Sequence, residues 1–147
     1  MEYNSILDQL PYASPFLFVD TLHKVDENGV EGAFLFKEDA AFYDGHFKDY
    51  PVTPGVILTE CCAQIGLVCL GIFLLNKDAD EKGKIAMSSS EMEFYLPVFP
   101  NEKVVVVSKK IYFRFHKLKC EVKMYNSKNK MVCKGVLAGM LKPTLNE

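Results

Sequence analysis

The sequence predicts an α+β domain in which an antiparallel sheet wraps around one long central helix, with residues 1–147 as a single unit. Three observations predict it. A chain of 147 residues has room for one core and one site. From Val56 to Leu75 the only strongly polar side chains are Thr59, Glu60 and Gln64, and apolar residues such as Ile57, Leu58, Cys61, Ile65, Val68, Ile72 and Leu75 cover every face. A helix that is hydrophobic all round either spans a membrane or is enclosed by protein. Glu60 and Gln64 leave Ile65 to Leu75 too short to span, so no membrane span is expected. Lastly, strand-like segments lie on both sides of this helix in sequence, which makes a wrapping sheet the natural enclosure.

The elements follow in order. Pro11 and Pro15 punctuate the chain before an apolar, aromatic run, Phe16 to Leu22, which reads as the first strand. Asp26-Glu27-Asn28-Gly29 is a turn signal, and Val30 to Phe36 completes a hairpin. Residues 39–53, with Gly45 and Pro51, read as irregular. Thr53 is the expected N-cap of the central helix, and Pro54 suits its first turn. From Ile85 the period is close to two. Met92, Phe94 and Leu96 alternate with Glu91, Glu93 and Tyr95; Leu118, Cys120, Val122 and Met124 alternate with Lys117, Lys119, Glu121 and Lys123. Asn126 to Lys130 reads as a hairpin loop and Met131 to Leu141 as the last strand, giving about four strands after the helix.

Five cysteines without paired C-x-x-C spacing fit neither a disulfide framework nor a zinc site, so no metal is expected. They read as small hydrophobes in a reducing compartment. Met1 to Gln9 holds two acids and no base ahead of any apolar run, unlike a signal peptide, and a cytoplasmic location is the expectation. The formal net charge of −2 conceals a strong asymmetry. Residues 1–102 carry six Lys against 17 acidic residues (−11), and residues 103–142 carry ten Lys and Arg114 against Glu121 alone (+10). A basic block of this size is either a solvated sheet face or the footprint of an acidic partner. Nucleic acid is not expected, because sixteen of the seventeen cations are Lys and base and phosphate recognition favours the Arg fork.

Two residues stand out chemically. Glu60 is a carboxylate on a helix that should be buried, which costs several kcal/mol unless the group is paired or neutral. It is either a structural acid reaching out through a gap or a general acid. His46, in Gly45-His46-Phe47, lies just ahead of the helix, whereas His23 and His116 fall at strand ends where solvated roles fit better. A His and a Glu bracketing a helix start supply a base, an acid and backbone N–H donors at the positive end of the dipole. Those parts suit removal of a proton beside a carbonyl with loss of a neighbouring group.

The run from Gly45 to Gln64, GHFKDYPVTPGVILTECCAQ, resembles the signature of hot-dog-fold 3-hydroxyacyl-acyl carrier protein dehydratases, G-H-F-P-G-x-P-V-M-P-G-V-L-x-x-E-A-x-A-Q. Leu10 to Asp20, LPYASPFLFVD, is similar to that family's L-P-H-R-x-P-F-L-x-V-D opening, and Phe94 to Val98 to its F-x-x-P-V segment. The chain departs from the pattern at Lys48-Asp49 (Pro-Gly), Thr53 (Met) and Tyr12-Ala13 (His-Arg).

The resemblance implies a hot-dog fold and dehydration of a carrier-bound 3-hydroxyacyl thioester to the trans-2-enoyl thioester, in fatty-acid synthesis or a related polyene or special-lipid route. It implies His46 as the base and Glu60, from a partner subunit, as the acid protonating the departing hydroxyl. The Gly55 N–H would hold the thioester oxygen, Gln64 would orient Glu60, and Phe47 and Val56 would complete the substrate-binding positions. No cofactor is implied, since the 4′-phosphopantetheine arm belongs to the carrier. The partners implied are acyl carrier protein, met by Lys109, Lys110, Arg114, Lys117 and Lys119, and a second copy in a homodimer, with a trimer of dimers as the larger assembly. A hot-dog thioesterase and a non-catalytic acyl-thioester-binding protein are the alternatives.

Overall fold

The computed structural model describes residues 3–78 and 83–143; Met1, Glu2, residues 79–82 and residues 144–147 of the predicted domain lie outside the described residues. After a short helix α1 (Asn4–Asp8), the strands are β1 (Thr21–Asp26), β2 (Gly29–Phe36), β3 (Gly83–Phe94), β4 (Glu102–Arg114), β5 (Lys117–Tyr125) and β6 (Met131–Pro143). They form one antiparallel sheet in the order β1-β2-β4-β5-β6-β3. Between β2 and β3 the chain crosses the concave side of the sheet as the central helix. This comprises α2 (Gly55–Ala63), one π turn (Gln64–Val68) and α3 (Cys69–Asp78). This is the hot-dog arrangement.

Gly55 to Asn76 is long and apolar enough to cross a membrane by length and composition, but 72% of its most apolar window is buried within the protein. Ile65, Leu67, Cys69 and Leu70 are inaccessible, packed on Val104, Val106, Leu118, Val122 and Leu137 from the sheet. The sheet, not lipid, enclose the apolar faces. Close approach depends on Gly66 and Gly71, where a Cβ would fall 2.8 Å from Val122 Cγ1 and 1.8 Å from Ile85 Cδ1. The π turn sits at this contact. Ser108 Oγ, buried in β4, donates to the Gly66 carbonyl at 2.8 Å, satisfying a group that the altered helix geometry leaves open.

Three expectations need correction. The first strand runs from Thr21 to Asp26, not from Phe16 to Leu22. Phe16 to Phe18 is an extended strap whose backbone bonds to a helix side chain instead of to β2. Thr53 does not cap the helix. Pro54 occupies the N-cap with no side-chain cap bond, and the Thr53 hydroxyl pairs with Tyr43. Phe94 and Leu96 alternate as predicted but stay 48% and 37% exposed, so this end of β3 does not face the core of its own chain. The hairpin turn matches its signal: Asp26 Oδ1 accepts from the Asn28 and Gly29 amides. The five cysteines are buried and unbridged.

Candidate active site

His46 sits in a loop closed by its own neighbours. At its base, between the 3₁₀ turn Ala41–Asp44 and the helix start, the Tyr43 and Thr53 hydroxyls hydrogen-bond in a buried pair. One step further out, the Val52 N–H donates to the His46 carbonyl at 2.8 Å. The His46 Nδ1 lies 3.0 Å from the Val52 carbonyl oxygen. A carbonyl can only accept, so Nδ1 carries a proton and donates it there, which leaves Nε2 as the ring nitrogen not used by the loop. At the tip, Phe47 and Tyr50 exchange two backbone bonds of 2.9 Å around Lys48-Asp49. The His46–Phe47 peptide bond is cis, and the imidazole stacks on the Phe47 ring with 4.2 Å between centres.

The helix start supplies the donors. The first amides bonded within the helix are those of Ile57 and Leu58, both to the Pro54 carbonyl. The Gly55 and Val56 amides therefore emerge at the positive end of the dipole. Gly55 faces a cavity of about 240 Å³ bounded by Thr53, Leu58 and the β3 end, Phe94 to Pro97. A Cβ at Gly55 would just touch the Phe94 ring, at 3.4 Å, so the helix start and the aromatic wall stand about one methyl group apart. The Val56 side chain is 76% exposed and points away from the core. A larger cavity of about 480 Å³, lined by Leu17, Phe18, Phe34, Phe36 and Phe42 among others, includes none of His46, Gly55 and Glu60.

Glu60 lies five residues into the helix and is half-buried, not enclosed as its helix position predicts. Its Oε2 accepts from Gln64 Nε2 at 3.0 Å. Gln64, wholly inaccessible, uses its other amide proton on the Phe16 carbonyl at 3.0 Å and its Oε1 on the Phe18 N–H at 2.8 Å. Cys61 Sγ adds a contact of 3.5 Å to the Phe18 carbonyl. The strap is thus fastened to the helix at the turn that carries Glu60. Burial, with smaller contributions from Glu60 and Cys69, pushes the Tyr12 phenol up to about 12, so it is a neutral neighbour of the carboxylate. Sequence reasoning missed the strap, the Tyr43–Thr53 pair and the Val52 carbonyl. Of these, only the Phe-rich spacing of the strap leaves a trace in the sequence, and that trace has the composition of a strand.

The chain brings Glu60 to Gln64, Gly55 to the β3 end and His46 to Phe47, but no hydrogen bond or ion pair joins His46 to Glu60 among the described residues. No cluster of three or more His, Cys, Asp or Glu suited to a metal ion occurs among the described residues. Lys117, Lys119 and Lys123 project from β5 opposite the buried Leu118, Cys120 and Val122, as their alternation predicts. They lie far from Gly55 along the sheet. β4 runs from Glu102, paired with Phe36 near the site, to Arg114, paired with Lys117, a contour of roughly 40 Å at the usual strand rise. Lys109 and Lys110 fall between.

Residues 10–138 match the model of the FabA-like domain. The 3-hydroxyacyl-[acyl-carrier-protein] dehydratase FabZ of Acinetobacter baylyi is 32% identical over 108 residues, covering 72% of each chain. The FabZ of Clostridium perfringens is 40% identical over 84 residues, 57% of each. Among solved structures, the dehydratase heterocomplex ApeI:P of Xenorhabdus doucetiae superposes with a TM-score of 0.77 at 14% identity, covering 95% of this chain and 91% of that one. A hypothetical thioesterase of Streptococcus pneumoniae with coenzyme A gives 0.64 at 10% identity over 99% and 98%. These structural likenesses establish the fold, and with a family model matched over nearly its whole length, the chain belongs to the FabA-like family.

Proposed function

We infer that the protein dehydrates a 3-hydroxyacyl thioester carried on acyl carrier protein to the trans-2-enoyl thioester. The observation that carries this reading is the poise of His46. Its Nδ1 proton is committed to the Val52 carbonyl, in the loop that leads into the helix N-terminus, so Nε2 is the nitrogen that serves as base in this reading. The thioester oxygen takes the Gly55 N–H, which stabilises the enolate-like charge that forms when Nε2 removes the α-proton. Glu60, steadied by Gln64, gives its proton to the 3-hydroxyl, which leaves as water. The balance is closed: the α-proton ends on His46, the Glu60 proton ends in water, and exchange with solvent restores both groups. The acyl chain lies on the apolar wall of Phe94 and Leu96 beside Gly55. No step calls for a bound cofactor of the protein's own.

The site is composite in this reading. β3 pairs with β6 along one edge only, and its other edge is twelve residues long with Met87, Phe94, Tyr95 and Leu96 exposed around it. The middle of this edge is polar, Ser88 to Glu91, and apolar residues flank it; a long strand edge with no neighbour invites a second strand. Two copies joined edge to edge along β3 make a homodimer, in which His46 of one protomer works with Glu60 of the other; three such dimers make the larger assembly. In this reading the dimer works in the cytoplasm.

The test is mass spectrometry of carrier-bound 3-hydroxyacyl substrates of graded chain length, incubated with the protein. Loss of water with the thioester intact is the expected result. Release of free thiol would make the chain a thioesterase, the activity named for the S. pneumoniae neighbour. Binding with neither change would make it an acyl-thioester-binding protein.

A further inference from the structure

The hairpin joining β4 to β5 is built against the preference of its own turn. Arg114 pairs with Lys117, leaving Phe115 and His116 as the two turn residues, with φ of 53° and 61°. Two consecutive left-handed residues define a type I′ turn, the province of Asn and Gly. A bulky aromatic in that conformation is strained. Packing gives nothing back, because Phe115 is 87% exposed, more than any other large apolar side chain among the described residues. On the strands of the same sheet end are Ile111, 49% exposed, and Met140, 39% exposed and paired with Lys117 across the ladder. Cations flank the turn in the chain and gather on the neighbouring Tyr112 ring. The Arg114 guanidinium lies 4.2 Å from the Tyr112 ring centre and Lys119 Nζ lies 6.0 Å from it, with Lys117 at the turn. Strain and exposure kept together at one residue point to a contact made with something else.

We propose that Phe115 is the apolar tooth of a docking surface for the acidic acyl carrier, gripped by Arg114, Lys117 and Lys119, and that it serves the active site of the neighbouring protomer. This rests on the dehydratase reading and its β3-paired dimer. Charge complementarity selects the carrier. The tip rises from the +10 segment, and such carriers are acidic. A lipid surface fits less well, since a single myristoyl chain alone gives only marginal membrane binding and one phenyl ring buries less. A carrier that must leave after each turnover needs no more than a transient contact.

Topology sets which site is served. The hairpin lies at the far end of the sheet from Gly55 of its own chain. Pairing two β3 strands antiparallel reverses one sheet end for end, bringing this hairpin beside the site end of the partner. In the order β5-β6-β3, the partner's β3 is three strand spacings from β5, about 14 Å. A flexible thioester arm spans such a gap more readily than the length of the strands.

The experiment compares carrier-bound and free pantetheine 3-hydroxyacyl thioesters on wild type and Phe115→Asn. Asparagine relieves the turn, so the variant should melt at or above the wild-type temperature. The ratio of kcat/KM for the carrier substrate to that for the pantetheine substrate should nevertheless fall roughly ten- to hundredfold, as loss of one buried Phe contact implies. Charge reversal at Arg114 and Lys117 should lower the same ratio, most at low salt. An unchanged ratio in Phe115→Asn overturns the proposal. So does wild-type binding to anionic phospholipid vesicles that Phe115→Asn abolishes while the ratio stays put. If wild type dehydrates neither substrate, the dehydratase reading fails. Titration of the carrier onto both proteins then decides the docking surface: weaker binding by Phe115→Asn supports it and equal binding overturns it.

Discussion

His46 and Glu60 are held in opposite ways. The His46 loop is a ladder of short-range bonds, Tyr43 to Thr53, His46 to Val52 and Phe47 to Tyr50, separated by ten, six and three residues. Glu60 is held through Gln64, whose other partners, Phe16 and Phe18, lie 48 and 46 residues away. The loop takes its shape mainly from its own sequence, with the Thr53 N–H to the Val98 carbonyl at 2.9 Å as a distant tie at its base, whereas the acid is placed only once the N-terminal strap has docked on the helix. The base therefore depends less on distant parts of the chain than the acid does.

The largest effects come from the reacting groups themselves. His46→Ala and Glu60→Gln should each lower dehydration by roughly 10²–10⁴, with melting temperatures near wild type. Wild-type turnover in either variant would remove that residue from the chemistry. Co-refolding the two variants separates the two halves by chain. Random pairing makes half the dimers mixed, each with one intact site of two, so roughly a quarter of wild-type activity should return. No recovery would place both residues in one chain.

The same division decides what could be read from the sequence. The fold class was legible because an all-round apolar helix between alternating strands has few other solutions, and His46 to Gln64 were legible as one contiguous motif. What failed was long-range. Phe16 to Leu22 has strand composition, but the Phe18 N–H and the Phe16 carbonyl bond to the Gln64 side chain, and nothing local announces a glutamine partner 46 residues on. Thr53 has the residue type of an N-cap, yet Tyr43 is near enough to claim its hydroxyl. The half-exposure of Glu60 was equally hidden, since helix periodicity does not show where the wrapping sheet and strap leave a gap.

Gln64→Leu breaks the long-range side alone. It strands the Phe18 N–H and the Phe16 carbonyl, each worth about 1–3 kcal/mol if left buried and unpaired, so the melting temperature should fall clearly. Glu60 also loses its tether, and misplacement of the acid should cost roughly ten- to hundredfold in kcat. The two effects part in a double variant. On a Glu60→Gln background the kinetic effect of Gln64→Leu should vanish while the loss of stability persists. A kinetic effect that persists there would mean that Gln64 acts on catalysis by a route other than Glu60.

The local side is tested at the base of the His46 loop, where the smallest effects are expected. Tyr43→Phe or Thr53→Val alone leaves one hydroxyl buried without its partner, at a cost of about 1–3 kcal/mol. The double variant replaces both partners with apolar groups of similar shape and should be nearly neutral, so the two costs should not add. Because His46 keeps both bonds to Val52, kcat should change little in any of the three. Additive costs would show that the hydroxyls do not close the loop. Alkali gives an independent check. Burial raises the Tyr43 phenol above its usual value, against the opposing effect of the Thr53 bond. A raised folded value means that the contribution is complete below the unfolded tyrosine value of about 10 and fades as pH climbs past it. The stability gap between wild type and Tyr43→Phe should therefore narrow above that pH, and a gap that widens there would overturn the assignment of the clasp to a neutral phenol.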